Sequence, residues 1–216
     1  MKLDLYFSLR SPYSYLLLPR IIMLRDEYNV EVNFKLVYPL AIRNPDFFIK
    51  KNIITYFGWR MIDYKIKARR LGLKMVLPPR PDPIRQNIIN GKISTDQPYI
   101  FDICHFLQAI DQDKQLDAAF EISKCIFGGV EYWHLDNNLR SLTESLGLNF
   151  DSIKNRVSSN EEELIKQIKQ NQKHQLEAGH HGVPLSVYKD KSFFGQDRFN
   201  DLIKEMEKDG FKLNKT

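Results

Sequence analysis

The sequence contains few cysteines, with two among 216 residues. Cys104 and Cys125 each lie in a stretch with helical periodicity, and neither belongs to a C-x-x-C pair or to a metal-ligand spacing. An isolated cysteine in such a pattern is typical of a small buried apolar residue. We therefore expect both thiols to be free and buried, and we predict no metal site.

Long apolar runs, a leader segment and a strong charge excess are also missing. No uninterrupted apolar stretch approaches the roughly 18 residues that a membrane-spanning helix requires, and no charged-then-apolar leader precedes the first predicted strand. The formal net charge of +5 at pH 7 suits a small anionic ligand but is too small and too dispersed to indicate nucleic acid. These absences predict a soluble, cytoplasmic protein that binds neither a membrane nor nucleic acid.

Strand patterns occur only near the two ends of the chain. Residues 3–7 and 30–37 alternate apolar and polar side chains, and residues 13–25 between them have apolar residues at helical spacing. A strand, a helix and a second strand form a unit in which the two strands run parallel. Near the other end, two short strand patterns precede an amphipathic helix at residues 196–208. These two patterns cover residues 184–187 and 191–194.

The middle of the chain is predicted to be helical. Its helical patterns, with apolar residues three or four positions apart, cover residues 53–71, 99–110, 116–127, 135–146 and 161–178. Residues 43–48 are predicted to form a loop. The proline-rich stretch at residues 77–83 excludes helix and regular strand, so it is either a polyproline ligand for another protein or a rigid wall within one domain.

This order of elements predicts an α/β architecture, a thioredoxin-like fold with a large all-helical insertion. The thioredoxin-like domain would comprise residues 1–41 and 179–216, and the inserted helical domain residues 42–178. We expect the insertion to be almost wholly helical, to add no strand to the sheet and to cover the site.

Ser11 lies where the first predicted strand passes into the first helix, with Pro12 at the first helical position. A helix N-terminus offers unpaired N–H donors and partial positive charge, which favour a bound thiolate or carboxylate. A serine at this place is also typical of a plain helix N-cap. From these residues alone, both interpretations of Ser11 stand.

The turn Gly182-Val183-Pro184 directly precedes the third predicted strand. A proline in that position fits a cis peptide bond, which exposes the N–H and C=O groups of the preceding backbone. In a thioredoxin fold, this loop faces the N-terminus of the first helix. We therefore predict a cis Val183–Pro184 bond that lies against Ser11.

Three motifs of the chain resemble those of one enzyme family. They are the segment around Ser11-Pro12-Tyr13-Ser14, the Gly182-Val183-Pro184 turn and the Phe-Phe-Gly-x-Asp-Arg motif at residues 193–198. In order and separation they are similar to the motifs of the 2-hydroxychromene-2-carboxylate isomerase family, which is related to kappa-class glutathione transferases and to DsbA-like oxidoreductases. The resemblance implies a DsbA-like, kappa-class form of the thioredoxin fold, glutathione as cofactor and a homodimer.

The resemblance also implies a role for Ser11. DsbA-like proteins have a C-x-x-C motif where this chain has Ser11 and Ser14, and a hydroxyl cannot exchange disulfides. In the isomerase and kappa families, the matching serine donates a hydrogen bond to the sulfur of glutathione. Ser11 would therefore be the catalytic residue that stabilises a thiolate, and we expect Ser14 to be structural.

Other matching positions imply the rest of a glutathione site. The main chain at Val183 and Pro184 matches the segment that pairs with the cysteinyl part of glutathione in the manner of an added strand. Gln196 and Asp197 match the pair that holds the γ-glutamyl end, where N–H groups suit its carboxylate and Asp197 suits its ammonium group. The alternative interpretation of Asp197 is a simple acid in the first turn of a helix.

The chain departs from the family pattern where the glycyl carboxylate of glutathione is expected to bind. Many relatives place an asparagine and a lysine after the second strand. Asn44 is the candidate for the asparagine, but the register of the lysine is not defined by the sequence. The lysines in question are Lys50, Lys51 and Lys65.

Three further residues have no assigned role at this stage. Trp59 and Asp63 stand one turn apart in the first inserted helix, a pairing that also resembles a family position. Arg10 directly precedes Ser11 and either contacts a substrate or faces solvent.

The leading prediction from the resemblance is a glutathione-dependent isomerase. The thiolate would add to an unsaturated aromatic 2-oxo acid or a chromene carboxylate, and rotation about the new single bond would follow. Expulsion of the thiol would then give the isomer with glutathione unconsumed. The substrate would thus be a small anionic aromatic molecule. The alternatives are a kappa-like glutathione transferase or peroxidase, which consumes glutathione, and a non-catalytic thioredoxin-fold binding module.

Overall fold

The computed structural model describes residues 1–49, 53–87 and 89–213. In this part of the chain the strands are β1 (Lys2–Phe7), β2 (Glu31–Leu36), β3 (Leu185–Tyr188) and β4 (Lys191–Phe194). The α-helices are α1 (Pro12–Tyr28), α2 (Leu40–Arg43), α3 (Asp46–Ile49), α4 (Ile53–Arg70), α5 (Ile100–Gln108), α6 (Gln112–Phe127), α7 (Asp136–Ser145), α8 (Phe150–Glu177) and α9 (Phe199–Glu207). A 3-10 turn at Gln196–Arg198 leads into α9.

The strands form one mixed sheet in the order β2-β1-β3-β4. β1 pairs parallel with β2, β3 pairs antiparallel with β1, and β4 pairs antiparallel with β3. Among the described residues, no segment between β2 and β3 adds a strand to this sheet. The predicted α/β, thioredoxin-like fold is therefore confirmed.

Alternation along β1 divides the core between the two faces of the sheet. Leu3, Leu5 and Phe7 point into the main hydrophobic core. Tyr6 points to the opposite face, where it packs in a smaller cluster with Leu185. Because both faces of β1 are buried, this central strand fixes the positions of the helices on either side.

Helix α1 joins the sheet to the helical insertion. It begins after the N-cap Ser11, with Pro12 in its first turn, and ends at Asn29 in the left-handed conformation. One side of α1 packs into the main core through Leu17 and Leu18. Leu16, on the other side, packs against Tyr64 and Ala68 of α4. The start of α1 is therefore held between the sheet and the insertion.

Two predicted boundaries in the insertion were wrong. The predicted loop at 43–48 lies largely within α2 and α3. Helix α8 begins at Phe150, well before the predicted start at residue 161. The discrepancy has a local cause, because Asn160 has non-helical angles (φ −132°, ψ 23°) and interrupts the helix. The acidic run that follows Asn160 starts the second helical segment, and this was the signal visible in the sequence.

The insertion is also less helical than predicted. Residues 71–87 and 89–99 contain no α-helix, and the bridge between Gln86 and Ile93 pairs this segment with itself. The proposed domain boundaries at residues 41–42 and 178–179 stay a prediction. None of the described helices combines the length and the apolar composition needed to cross a membrane.

The proline-rich stretch packs within the protein, as the rigid-wall interpretation predicted. The Leu77–Pro78 and Arg80–Pro81 peptide bonds are cis. Trp133, which has no exposed surface, donates its indole N–H to the Pro81 carbonyl oxygen at 2.8 Å. The buried Trp133 side chain thus holds the proline-rich stretch in position.

Candidate functional site

A cleft of about 1090 Å³ lies where residues 8–13 and residues 180–198 come together. It is bounded by the start of α1, the loop at 180–183, helix α4, the proline-rich stretch and the turn after β4. Many of the lining side chains are apolar. They include Phe47, Phe48, Met61, Leu77, Ile84 and Phe127. The insertion therefore covers the cleft, as the sequence predicted.

Ser11 is both a helix cap and a lining residue of the cleft. Its Oγ accepts a hydrogen bond from the Ser14 N–H at 3.2 Å. The hydroxyl donates to the Val183 carbonyl oxygen across 3.4 Å, a long contact for an O–H donor. The Val183–Pro184 bond is cis, so the prediction that this bond is cis and lies against Ser11 is confirmed. Capping uses a lone pair of Oγ, and the proton is held only by this long contact, so a ligand atom can compete for it.

A second hydroxyl in the cleft has no hydrogen-bond partner in the part of the chain that the structure describes. Ser8 is 1% exposed and lines the cleft, and its Oγ makes no hydrogen bond within the described residues. Leaving such a group unsatisfied costs about 1–3 kcal/mol, so a polar ligand atom at this position would stabilise the protein. Ser14 is also buried, but it does not line the cleft.

The loop before Val183 is fixed on both sides of Gly182. The Gly182 N–H donates to Nδ1 of His180 at 2.8 Å, and the Gly182 carbonyl oxygen accepts from Gln175 at 2.7 Å. The His180 ring stacks on Phe194 with 3.8 Å between ring centroids. Because Nδ1 of His180 accepts a hydrogen bond, the neutral ring carries its proton on Nε2.

Gly182 leaves no room for a side chain, and this gives a testable prediction. A Cβ added there would lie 2.7 Å from the His180 ring and closer still to Phe194. We expect Gly182→Ala to reduce the free energy of unfolding by about 1–3 kcal/mol, because the stacked rings must move. Denaturant unfolding followed by circular dichroism measures the change.

Gly58, which also lines the cleft, provides the matched control. A Cβ at Gly58 meets no atom within 4 Å, and alanine favours a helix over glycine by up to about 1 kcal/mol. Gly58→Ala should therefore stabilise the protein. If both substitutions have the same effect, the tight packing around Gly182 does not determine the stability of the loop.

Gln196 and Asp197 lie together at the turn before α9. Gln196 is buried, and Arg20 donates to both its backbone oxygen, at 3.0 Å, and its side-chain oxygen. Gln196 in turn donates to the Asp197 carboxylate. Burial lowers the pKa of Arg20 below its ordinary value, although Asp197 opposes the shift. The structure thus brings Ser11, Val183, Gln196 and Asp197 to the same cleft.

Sequence reasoning missed Lys67, which joins α4 to this turn. Its ammonium group lies 2.9 Å from Asp197 and 2.8 Å from Asp63. Asp63 also accepts a hydrogen bond from the Tyr13 hydroxyl at 2.7 Å. Burial acts to raise the pKa of Asp63, but the bonds from Lys67 and Tyr13 outweigh it and leave the pKa below its usual value. Asp63 therefore has a structural role that links α4 to α1.

Of the candidates for the glycyl anchor, those among the described residues do not line the cleft, and the anchor stays a prediction. Asn44 is exposed at the end of α2 and does not line the cleft. Lys65, in α4, is also exposed and also lies outside the cleft lining. Lys50 and Lys51 lie outside the described residues. Trp59 is 80% exposed and also lies outside the cleft lining. The geometry gives no support to a ligand contact by Asn44.

Arg43, next to Asn44, stabilises the loop at the cleft. It donates to the Tyr38 carbonyl oxygen at 2.6 Å, to Gln175 at 3.1 Å and to the His181 carbonyl oxygen at 2.9 Å. Burial lowers its pKa to about 10. These three bonds tie the end of β2 to the segment that carries Val183.

Neither cysteine takes part in the site. Cys104 is a free, buried thiol, as predicted, and burial raises its pKa. Cys125 is also free, but it is only half-buried, and burial raises its pKa as well. Since neither lines the cleft, the functional groups at the start of α1 are hydroxyls and not thiols.

Comparison with known proteins agrees with this fold. A family model described as the DSBA-like thioredoxin domain matches residues 2–207. No curated protein matches the sequence.

Among solved structures, the chain is similar to a 2-hydroxychromene-2-carboxylate isomerase, with a TM-score of 0.74 and 19% identity over 96% of this chain and 95% of that one. It is also similar to the cytosolic disulfide reductase DsbM from Pseudomonas aeruginosa with GSH, with a TM-score of 0.56 and 12% identity over 96% and 100% of the two chains. The thiol-disulfide exchange protein alpha-DsbA2 from Wolbachia pipientis gives a TM-score of 0.56 at 12% identity over 96% and 80%. At these identities the likeness concerns the fold.

Proposed function

Because the chain belongs to the family of DSBA-like thioredoxin domains, we propose that it is an enzyme that binds glutathione in this cleft and isomerises a small anionic aromatic substrate. One observation carries the proposal. A hydroxyl, that of Ser11, occupies the N-terminus of α1 opposite the Val183 carbonyl oxygen, where a thiol would be required for disulfide exchange. In the proposed reaction the thiol therefore comes from a bound molecule and not from the protein.

The residues of the cleft fit glutathione. The Ser8 hydroxyl is buried and without a partner among the described residues, and the Ser11 proton is held only by a long contact. The peptide at Val183 can pair with an extended ligand in the manner of an added strand. Asp197, whose side chain is 65% exposed, can exchange Lys67 for the ammonium group of a ligand.

When bound, glutathione supplies a thiolate that adds to a conjugated carbon–carbon double bond and leaves again after rotation. The Ser11 hydroxyl would donate a hydrogen bond to the sulfur and thereby favour the charged form. The N–H groups at the start of α1 add partial positive charge at the same place. Both effects lower the thiol pKa from its free value of about 8.5, so more thiolate is present near neutral pH.

Isothermal calorimetry with reduced glutathione tests binding independently of turnover. We expect saturable binding that Asp197→Asn weakens, because the substitution removes the charge opposite the ligand ammonium group. A protein that releases no heat with glutathione, and whose melting temperature glutathione does not raise, would contradict the proposal.

Turnover of 2-hydroxychromene-2-carboxylate then separates the candidate reactions. An isomerase converts many equivalents of substrate while the free thiol concentration stays constant. A glutathione transferase or peroxidase, the second candidate, loses thiol in proportion to product. Binding without either reaction would instead identify a non-catalytic binding module.

We also propose that the protein is a homodimer, a proposal that rests on the family resemblance. Sedimentation equilibrium at micromolar concentration should give about twice the chain mass of 25.5 kDa. A mass equal to that of one chain under these conditions would refute the dimer and leave the proposed chemistry untouched.

A further inference from the structure

Arg10 lies at the cleft beside the proposed thiolate site. It directly precedes Ser11 in the chain, so the two Cα atoms are about 3.8 Å apart. Arg10 lines the cleft, and its side chain is only 16% exposed. An arginine in a mostly apolar cleft needs hydrogen-bond acceptors. The positions of these acceptors show which N–H donors of the guanidinium group remain free for a ligand.

Asp82, within the proline-rich stretch, and Gln86, just after it, hold the guanidinium group through Nε and Nη2. Nε of Arg10 donates to Asp82 at 3.0 Å, and Nη2 donates to Asp82 at 3.4 Å and to Gln86 at 2.9 Å. The partners are themselves oriented, because Asp82 accepts the Ile84 N–H at 2.9 Å and Gln86 donates to the Gly91 carbonyl oxygen at 2.9 Å. The guanidinium group is therefore immobilised before any ligand arrives.

One nitrogen of the guanidinium group, Nη1, remains available, because Asp82 and Gln86 already accept from Nε and from both N–H bonds of Nη2. Nη1 of Arg10 makes no hydrogen bond or ion pair with any residue in the described ranges. Apolar side chains from the segment that carries Asp82 also line the cleft and suit a flat ring. They are Leu77, Pro78, Pro79 and Ile84. A planar donor next to an apolar wall matches an aromatic molecule that carries a carboxylate.

We infer that Arg10, held by Asp82 and Gln86, binds the carboxylate of the second substrate and places the substrate's reactive bond next to the sulfur at Ser11. The inference rests on the proposed function for the position of the sulfur. It assigns Arg10 the role of a specificity-determining residue, and it assigns Asp82 the role of a positioning residue that partly neutralises Arg10.

A competing explanation is that the Arg10–Asp82 pair only connects α1 to the wall of the cleft. The two explanations differ for Asp82→Asn, which keeps an oxygen for the Ile84 N–H and for Arg10 but removes the negative charge. If Arg10 binds carboxylates, Asp82→Asn leaves carboxylate affinity unchanged or raises it, whereas Arg10→Met lowers it. If the pair is only structural, the two variants change affinity in the same direction.

Calorimetric titration with cinnamate and with cinnamamide tests the inference. These two probes share a flat conjugated ring system and differ in the charge of one group. The wild type should prefer cinnamate, and Arg10→Met should weaken cinnamate binding about ten- to a hundredfold, the range for a lost hydrogen bond to a charged group. Cinnamamide binding should change little. Arg10→Lys, which keeps the charge without the fork, should give an intermediate loss and remains informative if Arg10→Met does not fold.

Each titration is performed without glutathione and with glutathione at saturation. If glutathione does not bind but the cinnamate preference depends on Arg10, the proposed function fails and the carboxylate site stands. If the wild type does not distinguish the two probes, or if Arg10→Met and Asp82→Asn have equal effects on cinnamate, the inference is overturned.

Discussion

Replacing Ser11 with alanine is expected to reduce turnover near neutral pH about ten- to a hundredfold, which corresponds to the loss of one hydrogen bond to a charged group. Glutathione affinity should change much less, because the main chain at Val183 and the turn at Gln196 are unaltered. Without the Ser11 proton donor, the thiol pKa rises. The loss of turnover in Ser11→Ala should therefore be largest at pH values below this raised thiol pKa. It should shrink as the pH rises above the raised pKa.

Ultraviolet absorbance of the thiolate, followed against pH for bound glutathione, measures the shift directly. Ser14→Ala is the matched control, because the Ser14 hydroxyl is buried and makes no hydrogen bond within the described residues. This control should leave the titration unchanged. Coincident titrations of the wild type and Ser11→Ala, with glutathione still bound, would reduce Ser11 to a helix cap.

Ser11→Asp separates the two roles of Ser11. Aspartate caps a helix as well as serine does, whereas alanine costs about 0.5–2 kcal/mol at an N-cap. The unfolding free energy of Ser11→Asp should therefore stay close to that of the wild type. Its carboxylate repels a thiolate and has no proton to donate at neutral pH, so turnover should be at least as low as in Ser11→Ala. A Ser11→Asp variant with both the stability and the turnover of the wild type would contradict the donor role of Ser11.

Trp133→Ala is expected to have the largest effect on stability. Removing a buried aromatic side chain costs about 3–5 kcal/mol, and this tryptophan has no exposed surface. The substitution also leaves the Pro81 carbonyl oxygen without its donor. The proline-rich wall should then lose its fixed position, and the cleft should bind aromatic ligands more weakly.

The second tryptophan of the chain provides the control. Trp59 is 80% exposed, and an exposed position usually changes stability by no more than about 0.5 kcal/mol when substituted. Each variant retains one tryptophan, since the sequence has two, so fluorescence during urea unfolding reports a single site. Equal midpoints for Trp133→Ala and Trp59→Ala would show that the wall does not depend on Trp133.

Local patterns in the sequence were sufficient to predict the sheet and most of the helices. The alternation in β1 and the spacing of apolar residues in α5 and α6 each reflect burial of one face, and burial is encoded in neighbouring residues. The interruption of α8 at Asn160 is not encoded in this way. It depends on a backbone conformation that many sequences can adopt, so the first segment of α8 was missed.

The candidate site was predictable only where a motif marked it. Ser11 and Val183 were placed together because the fold brings the first helix and the proline turn into contact. Lys67 and Asp197 are 130 positions apart, and Arg10 and Asp82 are 72 apart. No periodicity connects such residues, since their contacts arise from the way α4 and the proline-rich stretch pack over the sheet. The i, i+4 spacing of Asp63 and Lys67 was the one local indication available.

The position of β1 in the middle of the sheet has a consequence for synthesis on the ribosome. β1 pairs with β2 soon after both strands emerge, but its other neighbour, β3, begins at Leu185. Until then one edge of β1 is unpaired and open to association with other chains. A nascent or prematurely terminated chain lacking β3 and β4 therefore has neither a complete sheet nor the Val183 side of the cleft. Such fragments should be substrates for chaperones and proteases, and the cleft forms only after the residues up to Arg198 have been synthesised.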